Sequence, residues 1–304
     1  MARIETFAFR PERILGRKYQ VIKLLGTGWE SEVYLVRETA TGIERTAKFF
    51  FPQRNERNRT AQAYAKKLHK LRHCPVVIQY ASQEVMRHEG HDVTFLISEY
   101  VEGELLSSFI KRQPGGRLGA FQALHLLHAL AKALEPIHRL NEYHGDLHAD
   151  NIIIQRTGLG FELKLIDVHL WGDTRAQNIQ SDIVNLIHVF HEALGGARHY
   201  ARLPQAIKDI LSGLKASLIL KKFRSASQLT EYLETLLEWD DPRPSKPRKR
   251  KKKRKKKKKA RRPRRKKKKR KKKKKRVKKK KKKKQRRGRT KKARRRAKKG
   301  RRRK

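Results

Sequence analysis

The sequence predicts an α+β chain of two lobes, a β-rich small lobe and a helical larger lobe, followed by a disordered polybasic tail. Three observations carry this. Residues 12–101 are dominated by short β-type apolar runs with one helical interruption. From residue 102 the apolar residues recur at helical spacing. The last 59 residues, 246–304, contain 49 Lys or Arg and no acid. With 49 of the 82 basic residues there, 33 remain against 28 acidic ones in residues 1–245, so the formal net charge of +54 belongs to the tail. The tail has almost no apolar residue to offset its ordering entropy. A 245-residue segment, by contrast, is long enough to bury a substantial core.

The elements follow in order. Residues 19–25 form a β-type run that ends in Gly26-Thr27-Gly28, and residues 32–36 resume it, which reads as a hairpin around the glycines. Residues 43–51 hold Ala47-Lys48-Phe49-Phe50, an apolar strand with a lysine in its middle. Residues 59–71 have helical spacing, with Ala61, Tyr64, Ala65, Leu68 and Leu71 on one face. Strands are expected around 76–80 and 93–100, with a polar turn at Glu89-Gly90. The clearest helix spans 120–140, with Leu124, Leu127, Ala131, Leu134 and Ile137 in one stripe. Two short apolar runs, 151–155 and 162–166, bracket a turn at Gly158-Leu159-Gly160. Helices are expected at 182–194, 203–214 and 227–239, and Pro242 and Pro244 end the folded part. The expected domains are therefore 12–101, 102–240 and the tail, 241–304. No window reaches eighteen consecutive apolar residues and the N-terminus has no signal-like apolar core, so no membrane span is expected. The single cysteine, Cys74, excludes an internal disulfide and any CxxC site; a cytoplasmic location is expected.

The densest chemistry lies in His144-Gly145-Asp146-Leu147-His148-Ala149-Asp150-Asn151, with Asp167 sixteen residues after Asn151. Upstream are Gly26-Thr27-Gly28-Trp29-Glu30-Ser31-Glu32-Val33, then Lys48, then Phe95-Leu96-Ile97-Ser98-Glu99-Tyr100-Val101-Glu102-Gly103. In this order the motifs resemble H-R-D-L-x-x-x-N, D-F-G, the glycine loop G-x-G-x-x-G-x-V, the lysine strand and the interlobe hinge of the protein-kinase superfamily. The chain is similar to a serine/threonine protein kinase over residues 12–240, as a divergent member with a short activation segment. Singly, each motif has a plainer reading: a turn, an edge-strand lysine, a strand end, an acid in a polar loop. Their recurrence in order favours the family.

The resemblance implies an ATP- and Mg²⁺-dependent phosphotransferase. Asp146 would be the base that accepts the hydroxyl proton, and Lys48 the charge on the nucleotide phosphates. Asn151 and Asp167 would hold magnesium. Gly26, Gly28, Ser31 and Val33 would cover the nucleotide, with backbone groups at Glu99 and Val101 meeting the adenine. The acceptor would be a serine or threonine hydroxyl. The departures are specific. Gly145 replaces Arg, Ser31 the third glycine, Val168-His169 the Phe-Gly pair, and His148 stands where a lysine is usual. The helix glutamate that orients the lysine should fall near Tyr64, yet residues 62–67 contain no acid, and Glu56 lies more than two turns upstream. Either another acid serves, or Lys48 is unpaired, or activity is weak. Gln180-Ser181-Asp182-Ile183 resembles the start of the helix whose aspartate supports the catalytic loop. Only fifteen residues separate Asp167 from Asp182, so the peptide-gripping platform is truncated. A small-molecule hydroxyl kinase and a pseudokinase scaffold tethered to nucleic acid are the alternatives. The tail reads as a low-complexity expansion or as a polyanion-binding arm for nucleic acid, ribosome or polyphosphate, without aromatic residues for base stacking.

Overall fold

The computed structural model describes residues 3–157 and 160–237. The chain divides into Met1–Arg243 and Pro244–Lys304, and the second unit, with the tail, lies outside the described residues. So do the expected turn at Gly158-Leu159, the helix end at Trp239, and Pro242 and Pro244.

A six-stranded antiparallel sheet forms the small lobe, in the order β1-β2-β3-β4-β6-β5. Its strands are β1 (Ile14–Leu15), β2 (Tyr19–Thr27), β3 (Ser31–Glu38), β4 (Glu44–Phe50), β5 (Tyr80–His88) and β6 (His91–Glu99), with helix α1 (Arg59–Lys70) inserted after β4. β4 lies inside the sheet between β3 and β6, so Lys48 is not an edge lysine. The pleat sends successive side chains to opposite faces. Ala47, Phe49 and Phe51 point to one face, where they join Tyr34, Val36, Phe95 and Ile97 in a buried cluster. Lys48 and Phe50 therefore point to the other face, towards α1, and Phe50 is buried with α1 residues Ala61, Tyr64 and Leu68. Alternation in one strand thus decides which face receives the lysine.

The first cluster is closed by the N-terminal arm. Ile4, Phe7 and Phe9 are buried in it. Phe7 stacks on Phe51 at 5.2 Å between ring centroids, and Phe9 meets Phe49 edge-on at 5.0 Å. The small lobe therefore begins before residue 12, the boundary expected from the sequence. Without the arm, the aromatic face of the sheet would be exposed to water.

Residues 76–80, expected as a strand, are not one. Val77 forms an isolated parallel bridge with Leu165, and the strand itself is β5, starting at Tyr80. β5 is an edge strand with polar residues on both faces, among them Ser82, Gln83, Glu84 and Arg87, which hides its period in the sequence. The turn at Glu89-Gly90 joins β5 to β6 as expected.

The larger lobe contains β7 (Glu104–Leu105), α2 (Leu106–Lys111), α3 (Ala120–Arg139), β8 (Ile152–Thr157), β9 (Gly160–Leu165), α4 (Arg175–Ala193), α5 (Ala197–Tyr200), α6 (Gln205–Leu211), α7 (Ala216–Lys222) and α8 (Ala226–Leu237). Leu127, Ala131, Leu134 and Ile137 of α3 are buried at its centre, with Ile183, Leu186 and Phe190 of α4. α4 starts at Arg175 rather than at 182. Thr174 caps it, its hydroxyl accepting the Gln177 amide at 3.3 Å in a reciprocal capping box. Asp182 therefore sits two turns inside the helix and not at its start. The expected helix 203–214 is shorter, ending at Leu211, and α7 follows as a separate helix.

Candidate functional site

The groups singled out from the sequence meet where the small sheet, α1 and the loops around β8 and β9 converge. Lys48 Nζ donates to Asp167 Oδ1 at 2.8 Å, across 119 residues of chain. Glu30, in the turn between β2 and β3, places a carboxylate oxygen 3.5 Å from the same ammonium. The Tyr64 ring lies 4.5 Å from Lys48 Nζ, and its hydroxyl donates to Asp167 Oδ1 at 3.3 Å. The position expected to carry a helix glutamate thus carries an aromatic ring, and the acids that partner Lys48 come from Asp167 and the glycine turn. Glu56 is not the partner. Burial opposes the charge on Lys48, but the Asp167 carboxylate, with Tyr64 and Glu30, outweighs it and raises its pKa. Burial likewise pushes the Asp167 carboxyl up, and Lys48 reverses this to a net lowering. Both groups are therefore held charged.

Val33 pairs with Lys48 across β3 and β4 and with Gly26 across β2 and β3, so all three share one region of the sheet. The Gly28 amide donates to the Ser31 carbonyl at 2.8 Å, closing the turn. A Cβ built on Gly26 would meet nothing within 4 Å, and one on Gly28 would meet only the Ser31 carbonyl at 3.7 Å. Neither glycine has the positive φ that demands glycine. Ser31, at the third glycine position, is buried. What the two glycines leave is open space over the end of β2 and its turn.

On the opposite wall, His144 is fully buried and its pKa is lowered, chiefly by burial. Its Nε2 lies 2.9 Å from the Ile166 carbonyl and its Nδ1 3.3 Å from the Asp146 amide. Those partners assign the neutral tautomer, with Nε2–H donating and Nδ1 accepting. Asn151 Nδ2 donates to the Asp146 carbonyl at 2.8 Å and to Asp146 Oδ2 at 3.0 Å. His148 Nδ1 accepts the Asp150 amide at 3.2 Å, and its Nε2 lies 3.5 Å from Asp146 Oδ2. Both neighbours approach one oxygen of Asp146, and the side chain is 48% exposed. The Ile166 amide donates to the Asn151 carbonyl at 3.0 Å, which fixes Asn151 beside the residue preceding Asp167. Asp167 itself has φ 57°, a left-handed conformation uncommon away from glycine.

Asp182 holds this loop from below. Fully buried, it accepts the His144 amide at 2.7 Å, the Gly145 amide at 2.9 Å and His138 Nε2 at 3.1 Å. Gly145 has φ 90°, and a Cβ there would lie 2.7 Å from the His169 carbonyl. The arginine usual at this position has no room here. Gly145→Ala is expected to destabilise the fold by about 1–3 kcal/mol through that strain, read from the urea midpoint.

Glu99 and Val101 lie apart from the acids. They line a cavity of about 340 Å³ with Tyr100, Glu102, Ile153 and Lys164, whose walls include neither Lys48 nor Asp146. The Glu99 amide is committed to the Gln79 carbonyl at 3.0 Å, and its side chain accepts from Gln79 N and Lys164.

Three groups at this site were not singled out from the sequence: Glu30, Lys67 and Trp171. Lys67 is three residues from Tyr64 on the buried face of α1, a spacing that flags it. Trp171 Nε1 donates to the Gly145 carbonyl at 2.5 Å, for which no local pattern gives a signal.

A small β-lobe over a helical lobe, with a lysine–aspartate pair between them and an Asp-x4-Asn loop opposite, defines a phosphotransferase-type fold of the kinase class. The chain belongs to the protein kinase domain family, whose description matches residues 19–201. Among curated relatives, it is 26% identical over 153 residues to the serine/threonine-protein kinase PknA of Corynebacterium glutamicum, covering 49% of this chain and 32% of that protein. PrkC of Bacillus subtilis, a serine/threonine-protein kinase, is 28% identical over 150 residues, 48% of this chain and 22% of that one. The chain thus spans about a third or less of the length of these relatives. Among solved structures, the PknI kinase domain of Mycobacterium tuberculosis superposes with a TM-score of 0.54 at 16% identity, over 75% of this chain and 99% of that one. Rad53 in complex with AMP-PNP gives 0.55 at 17% identity, over 70% and 64%. At these identities the structures establish the fold. Among the described residues no helix is long and apolar enough to cross a membrane.

Proposed function

We propose that the chain is an ATP- and Mg²⁺-dependent protein kinase that transfers phosphate to serine or threonine hydroxyls. The observation that carries it is the pairing of Lys48 with Asp167 at 2.8 Å opposite an Asp146 carboxylate held by Asn151.

The residues fit the nucleotide and the metal. Magnesium prefers one or two protein oxygens and completes its shell with water and phosphate. Asn151 spends its amide N–H on Asp146, which leaves its oxygen as acceptor, and Lys48 and Tyr64 occupy only Oδ1 of Asp167. Lys48 is the point charge for phosphate oxygens, and the open space over Gly26 and Gly28 admits them close to the backbone. The carbonyl of Glu99 and the backbone of Val101 are the assigned adenine contacts. When bound, the nucleotide–metal pair supplies the phosphoryl group and balances its charge.

Asp146 acts at one oxygen. Oδ2 receives Asn151 and faces His148, so Oδ1 is left to accept the acceptor hydroxyl's hydrogen. The neutral His144 ring fixes the Asp146 backbone and contributes no proton itself.

A second acceptor class has its own support. Only 168–174 separate Asp167 from the start of α4, too short a segment for an extended peptide platform, which favours a small-molecule hydroxyl. The test is one assay: the purified chain with γ-labelled ATP and Mg²⁺, against a serine/threonine protein mixture and a panel of small hydroxyl compounds. Label in protein supports the main reading and label in a small compound the second. Metal-dependent ATP binding without transfer to any acceptor would leave the pseudokinase scaffold.

The tail after Asp241 we assign as a polyanion-binding arm working through phosphate contacts, and the single cysteine supports a reducing, cytoplasmic location. Full-length protein should bind DNA or RNA with an affinity that falls roughly 10³-fold or more between 50 and 200 mM salt, as for six or more phosphate contacts. Truncation after Asp241 should remove that binding; salt-sensitive binding that persists in the truncated protein refutes the arm.

A further inference from the structure

Lys67 is the one lysine of α1 that is buried without a carboxylate in contact, among the described residues. It projects from the helix face that also carries Tyr64 and Leu68. Its ammonium donates to the His144 carbonyl at 3.3 Å and, more closely, to the His169 carbonyl, and it sits 3.7 Å from the centre of the Tyr143 ring. His144 lies two residues before Asp146, and His169 two after Asp167. The same two residues are joined directly, the His169 amide donating to the His144 carbonyl at 2.9 Å. One side chain of the small lobe thus ties the base loop and the magnesium-side loop together from the small-lobe side.

We propose that Lys67 is a positioning residue, a fixed clamp that holds the Asp146 loop and the Asp167 loop in register with α1, so that the site is assembled without phosphorylation of the segment after Asp167. The inference rests on the roles of Asp146 and Asp167 proposed above. Three sequence departures become one device. With Gly145 in place of arginine there is no guanidinium beside Asp146 to read a phosphate, and the His169 carbonyl fills the space such a side chain would need. The segment from Asp167 to α4 is short, and Trp171 pins it by donating to the Gly145 carbonyl at 2.5 Å. The acid absent from α1 is likewise explained: the helix engages the large lobe through a cation aimed at carbonyls.

Charge makes the clamp strong, since hydrogen bonds from an ammonium are roughly twice as strong as neutral ones and the ring contact needs the cation. The ionisable groups around Lys67 are Glu142, Tyr143 and His144 ahead of Asp146, His169 beyond Asp167, and Arg175 and Asp182 on α4. Burial lowers the Lys67 pKa from its ordinary 10.5 to about 8, with Asp182 and Glu142 opposing and Arg175 adding to the fall. Because the folded value is the lower one, the unfolded chain binds the extra proton between pH 8 and 10.5. This group's contribution to stability therefore rises with pH over that window, and a local opening that exposes Lys67 becomes harder by the same linkage.

The test uses the full chain, with Lys67→Met and Lys67→Arg, by amide hydrogen exchange and by turnover. In Lys67→Met, exchange should rise at least tenfold in peptides covering 144–151 and 167–171 and stay unchanged in β4 and α8. Turnover should fall at least tenfold, with half-saturation by ATP within threefold. Lys67→Arg should keep both. Unchanged exchange in the two loops, or a uniform rise over the whole chain, overturns the clamp. If Lys67→Met does not fold, the pH series decides. Corrected for intrinsic exchange, the wild-type loops should gain protection between pH 8 and 10.5, because opening that exposes Lys67 takes up a proton there, and those of Lys67→Arg should not; identical series overturn the proposal. A wild type that transfers no phosphate but shows the local exchange signature would refute the function and keep the clamp.

Discussion

Asp146→Asn is expected to lower single-turnover phosphate transfer by roughly 10²- to 10⁴-fold, the range for loss of general-base catalysis. ATP affinity should stay within threefold. The substitution is isosteric, and the side chain is 48% exposed, so the fold does not depend on its charge. One amide oxygen can still accept from Asn151 Nδ2, as Asp146 Oδ2 does at 3.0 Å. The amide nitrogen, however, cannot take a hydroxyl proton. Lys48 and Asp167 keep their 2.8 Å pairing, so the nucleotide end of the site is untouched. Quench-flow transfer with an acceptor, beside ATP titration without one, reads the two halves separately. Wild-type transfer in the variant removes Asp146 from the chemistry; loss of transfer and of ATP binding together points to a folding defect instead.

The second large effect concerns stability. Asp182→Ala should destabilise the protein by about 3–5 kcal/mol, because it strips the acceptor from buried donors. The amides of His144 and Gly145, at 2.7 and 2.9 Å, have no water to turn to, and His138 Nε2 at 3.1 Å loses its partner as well. A cavity beneath the loop adds to the cost. Asp182→Asn keeps one oxygen but turns an N–H₂ towards donors, so it should fall between the two. Urea unfolding followed by tryptophan fluorescence measures the difference. A shift under 1 kcal/mol for the alanine variant would mean that the loop finds other acceptors. Turnover of any folded Asp182 variant should also drop, since the two amides belong to the residues immediately before Asp146.

Much of the site is legible in the chain because its chemistry is local. Asp146 and Asn151 lie five residues apart in one loop, Asp167 follows a short hairpin, and Gly26 and Lys48 sit on the two strands that flank β3, both opposite Val33. Helix α3 is legible for a related reason: its stripe of Leu127, Ala131, Leu134 and Ile137 repeats at the helical period. The misreadings share a cause too. Residues 76–80 carry apolar β-branched residues, yet Val77 is spent on packing and a single bridge to Leu165, while the real edge strand is polar. The first turns of α4 are polar, so only the Thr174–Gln177 cap reveals where it begins. The arm with Phe7 and Phe9 has no period at all, and its burial depends on a sheet face assembled from other strands.

The order of the lobes and the kinds of group available for phosphoryl transfer can be read from the chain alone, because period and motif spacing are properties of neighbouring residues. How the charges are matched depends on the folded arrangement. Lys48 finds Asp167 across 119 residues and Glu30 across a turn, Tyr64 stands where an acid was expected, and Lys67 reaches carbonyls on two loops. Electrostatic partnership depends on distance and burial in space, and neither is encoded by local pattern.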